Sequence, residues 1–227
     1  SVGNLLTEKN KTKSYNVYKK INMFDSFLTG IGICGFLAII DDFIEIWIGK
    51  EYVLNSYITV SFAIYIYSDS IRRTMTLFKD SAGICKEDKN TYIVMALINL
   101  ITSIILCQNM GMSGVILGTA ISYIYLIIYS YPKYIFKQLF SEDLKLYYKE
   151  NFIYFIFILL SSVVSFIIGK NFIINSIILS ILIKGILSII VCCIIFTVIF
   201  HKTSEYKYYF QNVIKILRKF VKLKSKN

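Results

Sequence analysis

Six long apolar stretches divide this chain, and the short gaps between them alternate between strongly basic and nearly charge-free. An apolar run of about 20 residues, with a range of about 17 to 25, has the length of a bilayer crossing. The runs fall at 24–48, 53–78, 91–107, 112–131, 152–168 and 172–200. Of the 25 Lys and Arg residues, 22 lie on one side of the resulting pattern. They occupy residues 6–22, the end of the second run with 79–90, residues 132–151 and the tail after His201. Lys50, Lys170 and Lys184 are the exceptions. Lys/Arg asymmetry sets membrane orientation. The basic loops and both ends are therefore expected in the cytoplasm, and the loops near 50, 109 and 170 outside.

The composition agrees. With 56% hydrophobic and 17% charged residues, a water-soluble domain of 227 residues could not cover its apolar surface. A net charge of +11 raises nucleic acid as a partner. The bases, however, sit beside apolar runs and in the tail, a distribution that fits anionic lipid headgroups and not nucleic acid. Five scattered cysteines, Cys34, Cys85, Cys107, Cys192 and Cys193, follow no zinc spacing and read as small packing residues. Residues 1–5 read as the tail of an earlier helix, so the chain is expected to be part of a longer one. Residues 203–227 interleave Phe210, Val213, Ile214, Leu217 and Val221 with Lys215, Arg218, Lys219 and Lys222. That spacing predicts a basic amphipathic helix on the membrane surface. The fold class expected is all-α: a multi-pass helix bundle of six spans, the end of an earlier helix and this tail helix.

Glycine patterns are read as packing signals. Gly30, Gly32 and Gly35 match the G-x-G-x-x-G dinucleotide fingerprint, but they lie inside an apolar run without the strand that the fingerprint requires. Gly114, Gly118 and Ser122 stand four apart, which places small residues on one helix face for close helix contact.

Ionisable residues within the runs carry the functional candidates. Asp69, Arg72 and Arg73 lie in the second run, and Asp69 can pair with either Arg along one face. Charge at that depth faces a bundle interior or a water-filled cavity, or the arginines snorkel to the headgroups. Arg suits phosphate, because its planar fork binds pairs of oxygens and stays charged. Lys184 stands twelve residues from Phe172 and sixteen from Phe200. It faces either the interior as a functional group or a crevice between helices. Asp41, Asp42 and Glu45, followed by Trp47, read as interfacial charge with a headgroup-level anchor, the alternative being an ion site. Asp25, at the start of the first run, reads as interfacial, with ion coupling the other reading. Asn99 and Ser103 share a face of the third run and are expected to bond between helices.

No catalytic constellation is visible. The single histidine, His201, stands at a membrane boundary, and no Ser/His/Asp or metal-ligand spacing appears at membrane depth. The expectation is a protein without enzymatic activity and without a cofactor. A membrane enzyme of polysaccharide assembly would need a substantial outward loop, and the outward gaps here are a few residues long.

Several segments, taken in order, carry a resemblance. They are Ser1–Leu5 before a basic loop, Phe43–Tyr52 after the first run and Arg72 followed by Ala82-Gly83. Asn99–Ser103 and Gly111–Ser122 complete the set. It resembles the C-terminal half of bacterial polysaccharide repeat-unit flippases of the O-antigen and capsule type, in the multidrug/oligosaccharidyl-lipid/polysaccharide exporter superfamily. The likeness covers about residues 1–135. It implies two six-helix lobes around a central cavity that move undecaprenyl-pyrophosphate-linked sugars across the cytoplasmic membrane. On that basis residues 1–135 belong to the second lobe, 136–202 form an additional helix pair and 203–227 a cytoplasmic tail. The missing N-terminal lobe, the lipid-linked oligosaccharide and anionic lipids are the implied partners. Arg72, Arg73 and Lys184 are the implied substrate-binding residues, with Asp69 and Asp25 for orientation or ion coupling. Drug or ion exporters of the same superfamily would share these helices but would more often place acids in the path.

Overall fold

The computed structural model describes residues 2–7, 10–84, 89–140, 142–172 and 174–224, the side chains of Thr7 and of 216–224 excepted. Lys9, Cys85, Lys86 and Lys226 lie outside the described residues, as do the side chains of Arg218, Lys219, Lys222 and Lys224. Within that set the protein is all helical, with eight helices. These are α1 (Val2–Thr7), α2 (Lys11–Trp47), α3 (Ser56–Ser81), α4 (Lys89–Met110) and α5 (Met112–Leu139). They are followed by α6 (Leu144–Asn171), α7 (Ile177–Phe200) and α8 (Ser204–Lys224). Five of them, α2, α4, α5, α6 and α7, are long and apolar enough to cross a membrane.

Six apolar spans are expected from the sequence; the second, in α3, does not reach that standard. Its 26 residues rise about 39 Å, which is length enough. Composition is what lowers it: Ser61, Ser68, Asp69, Ser70, Arg72, Arg73 and Thr74 all fall within it. The fold explains how such a helix is held. Helix α3 lies between α2 and α5, and Thr59, Ser61, Ser68, Ser70 and Thr74 are buried against neighbours.

Caps set the helix ends. Asn10 Oδ1 accepts from Lys13 N, Asn55 Oδ1 from Tyr57 N and Asp143 Oδ1 from Lys145 N, each satisfying a donor that the first turn leaves free. Between α4 and α5 the single residue Gly111, at φ 56°, reverses the chain, a backbone state for which glycine has no side-chain penalty.

The long helices α2 to α7 run alternately up and down. Asp25 meets Ser70 and Thr74 while Phe36 meets Phe62, so α2 and α3 are antiparallel. Helices α2 and α6 run parallel: Tyr15 reaches Glu150, and Gly30 abuts Phe157. Across the bundle the order is α4, α5, α3, α2, with α6 and α7 both packed on α2 and on each other. Helix α4 stands at the edge, with Thr91 its one buried residue.

Close approach is made by small residues, as membrane helices require without a hydrophobic force between them. A Cβ on Gly118 would lie 2.7 Å from the Ser103 backbone nitrogen, and one on Gly114 2.3 Å from the Leu106 carbonyl carbon. The small-residue face expected on α5 is therefore the α4 contact. The Gly30–Gly35 motif lies in the middle of the uninterrupted helix α2, with Gly32 and Gly35 facing open space. Cys34 and Cys192 are free and buried in the α2–α6–α7 core, and Cys107 is free and exposed.

Residues 132–151, read from the sequence as a basic loop, are mostly helix. Helix α5 continues through Pro132 to Leu139, and α6 begins at Leu144. Pro132 lacks the N–H of a helical residue and its ring crowds the preceding turn. The turns of α5 widen to π spacing over Leu126–Phe136, which absorbs the proline without a break.

Candidate functional site

The polar side chains of α3 point to two neighbours. Towards α2, Asp25 Oδ2 accepts hydrogen bonds from Ser70 Oγ at 2.9 Å and Thr74 Oγ1 at 3.2 Å. Thr29 Oγ1 lies 2.5 Å from Ser70 Oγ, adding a third hydroxyl to this seam. Towards α5, Arg72 Nη2 donates to Asp69 Oδ1 at 2.6 Å, and its guanidinium carbon lies 4.6 Å from the centre of the Tyr123 ring. Thr76 Oγ1 lies 2.8 Å from Tyr131 Oη one turn further along. The spacing is helical. Ser70 and Thr74 share one face, and Arg72 points the opposite way.

Arg72 is thus a half-buried cation, paired to its own helix and stacked on the next. Its Nε–H is buried and has no acceptor. A guanidinium has five N–H donors, so Arg72 keeps capacity for an anionic oxygen pair. Arg73 is exposed and makes no hydrogen bond or ion pair among the described residues. Asp25 has no basic partner among them; its partners are hydroxyls.

Lys184 belongs to a different place. Helix α7 begins at Ile177, so Lys184 is two turns from that end and nearer to it than the expected run implied. Its Nζ donates to Asp42 Oδ2 at 2.8 Å, and Ser180 Oγ donates to the same oxygen. Lys170 Nζ donates to Asp41 Oδ2 at 2.6 Å beside it. Asp41, Asp42, Glu45, Lys170, Ser180 and Lys184 line a cleft of about 320 Å³ at the end of the bundle away from the basic loops. The interfacial reading of Asp41 and Asp42 thus changes: both carboxylates clamp α2 to its neighbours.

The five sequence candidates therefore do not meet in one cavity. Asp25, Asp69 and Arg72 share one level of α3, Arg73 points outward, and Lys184 is elsewhere. Asp25 and Asp42 mark the two levels on α2, and seventeen residues of helix separate them by about 25 Å. Asp42, Tyr123 and the hydroxyls of Thr29, Ser70 and Thr74 are the partners that sequence reasoning did not name. Depth explains the pairing once the start of α7 is known: Asp42 lies six residues before Ile48 and Lys184 seven after Ile177, so the antiparallel helices bring them level. Asn99 and Ser103 bond to each other within α4, while Ser103 Oγ also reaches the Val115 carbonyl of α5 at 3.4 Å. The single Ser103 proton goes chiefly to Asn99, so the interhelical contact expected there is only the long, weak arm of a shared bond.

No protein-family model matches the chain, and no curated protein and no solved structure matches it either.

Proposed function

We propose that this chain is part of a multi-pass membrane transporter that flips undecaprenyl-pyrophosphate-linked oligosaccharides across the cytoplasmic membrane by alternating access. In this reading α3 is the sixth crossing, tolerated because its neighbours cover its polar face, and the basic loops are cytoplasmic. Residues 1–135 belong to one lobe of the transporter, 136–202 add a helix pair and 203–227 form the tail. An N-terminal lobe of the same protein supplies the other wall of the path. The observation that carries the proposal is Arg72: a cation at span depth, oriented by Asp69 and Tyr123, with an unused buried donor at Nε. A pyrophosphate supplies the acceptor oxygens that such a fork lacks. The ordered resemblance in residues 1–135 supports the substrate class.

The test is surface polysaccharide made by cells carrying the full-length protein with Arg72→Ala, Arg72→Lys or Arg73→Ala. Arg72→Ala is expected to abolish display and Arg72→Lys to retain part of it. Arg73, exposed on the other face, contributes less, and Arg73→Ala is expected to be mild. Undiminished display with Arg72→Ala would remove the phosphate role. Lys184, held by Asp42, is the weaker of the three binding candidates.

A second reading has its own observation. Asp25 is a carboxylate bonded by two hydroxyls, with Thr29 behind Ser70 and no base among the described residues, which suits a coupled cation in a drug exporter of the same superfamily. Asp25→Asn would then stop export driven by an ion gradient while leaving Arg72→Ala active.

A further inference from the structure

We propose that the junction of α2, α7 and α8 is a binding site for an anionic phospholipid, one acyl chain lying in an aromatic cleft and the phosphate on Lys20. The cleft encloses about 260 Å³ and is lined by Phe24 and Phe27 of α2, Phe196 of α7 and Tyr206, Phe210 and Val213 of α8. Its walls are built. Phe27 and Phe196 pack with ring centres 4.5 Å apart, Phe24 stacks on Tyr209 at 5.7 Å and Tyr206 on Phe210 at 5.9 Å. The Tyr209 hydroxyl donates to the Lys20 carbonyl at 3.0 Å, and Lys19 pairs with Glu205 at 2.9 Å. These contacts hold the first turns of α8 against the ends of α2 and α7. Beyond them Phe210 and Val213 of α8 are uncovered, 54% and 52% exposed.

The occupant follows from charge. Lys19 is neutralised by Glu205, whereas Lys20, one residue on, has no carboxylate partner among the described residues. Its ammonium sits 4.0 Å above the Tyr208 ring. Lys20 lies one helical turn before Phe24, the lining residue nearest that end of α2 after Met23, and Phe27 is about 10 Å further along the helix than Lys20. A cation at the rim of an apolar slot, where spans end in aromatic rings, matches a headgroup phosphate above an acyl chain. Exposed Lys207 on α8 adds to the positive field. A purely apolar partner would leave Lys20 uncompensated, and a soluble anion would leave the aromatic slot unfilled.

The experiment uses the whole chain with Trp47→Phe and Phe210→Trp, so that one tryptophan reports from the cleft. The protein is reconstituted in phosphatidylcholine vesicles containing brominated phosphatidylglycerol or brominated phosphatidylcholine, and fluorescence quenching is followed against mole fraction. Brominated phosphatidylglycerol should half-quench at a roughly fivefold lower fraction, the worth of one lysine near an anionic surface. Lys20→Gln should remove this preference, and Lys20→Arg and the distant Lys50→Gln should keep it. Equal quenching by both lipids in the parent protein overturns the charge assignment. Absence of quenching by either means that protein fills the cleft and overturns the site. A preference that survives Lys20→Gln means diffuse attraction by the basic helix, and overturns it as well.

Discussion

The hydroxyl of Tyr148 donates to the carbonyl oxygen of Ile128 at 2.8 Å, and Tyr147 does the same for Ile127 at 2.9 Å. These are the carbonyls that residue 132 would serve in α and π spacing, and residue 132 is proline. In the π spacing of Leu126–Phe136 the missing N–H of Pro132 leaves the Ile127 carbonyl open, so Tyr147 satisfies the acceptor that Pro132 frees, and Tyr148 adds a second bond joining α6 to α5. Tyr147 is 2% exposed, whereas Tyr148 is on the surface. Tyr147→Phe should therefore cost about 1–3 kcal/mol by orphaning a buried carbonyl, and Tyr148→Phe less. In a Pro132→Ala background, where the helix can serve its own carbonyls, the Tyr147→Phe cost should shrink. Thermal unfolding of the detergent-solubilised protein in a double-mutant cycle measures this coupling; equal costs in both backgrounds would disprove the link.

Two glycines should respond in opposite ways to the same change. Gly118→Ala would press a methyl against the Ser103 backbone, and should cost about 1–3 kcal/mol or push α4 from α5. Gly32→Ala meets nothing within 4 Å and should be neutral or stabilise by up to about 1 kcal/mol through helix propensity. Melting temperatures of the two variants, taken side by side, check the pair.

Lys184 and Asp42 should behave as one unit. Their side chains are 6% and 18% exposed, and the cleft beside them is polar. Lys184→Met alone leaves a carboxylate without its counter-ion and should cost towards the lower end of about 3–5 kcal/mol. The double variant Lys184→Met/Asp42→Asn should recover most of that loss. Transport in the full-length protein separates clamp from ligand. A clamp predicts restored activity in the double variant, and a substrate ligand predicts none.

The docking of α8 should weaken in acid. Burial pushes the Glu205 carboxyl up, but its bonds to Lys19, to backbone and to Ser204 outweigh burial and hold it below the ordinary glutamate value. A depressed carboxyl contributes stability above its unfolded value, and that contribution fades as pH falls through the folded one. Protection of the first turns of α8 from hydrogen exchange should therefore be high at neutral pH and fall below about pH 4, an acceleration relative to the intrinsic rate at each pH. In Lys19→Gln the acceleration should begin at higher pH. An unchanged profile in that variant would show that aromatic packing alone holds the helix.

Reading Pro132 as the start of a loop was the largest misreading of the chain. The gap was read from its lysines, which look alike on a loop and on a helix, and the Tyr147 bond that lets α5 pass Pro132 is one that only the fold brings alongside. Lys184 was placed at mid-span because the apolar run was counted from Phe172 across Asn175 and Ser176, yet α7 starts at Ile177. Hydropathy does not distinguish an apolar turn from an apolar helix. The second apolar run, in α3, falters for a related reason. Its serines, threonines and charges average out over the window, and whether they are tolerable depends on which neighbours cover them.

Hydropathy and helical spacing are properties of adjacent residues. The sequence alone therefore determined the helical class, five apolar helices, the small-residue face of α5 and the amphipathic helix near the end. Partnership is decided between residues far apart in the chain. That Asp42 takes Lys184, that Asp25 takes the hydroxyls of α3, and that Arg72 rests on Tyr123 follow from which helices lie side by side. Without a hydrophobic force between membrane helices, that arrangement rests on small-residue packing and polar pairing, both of which exist only once the bundle has formed.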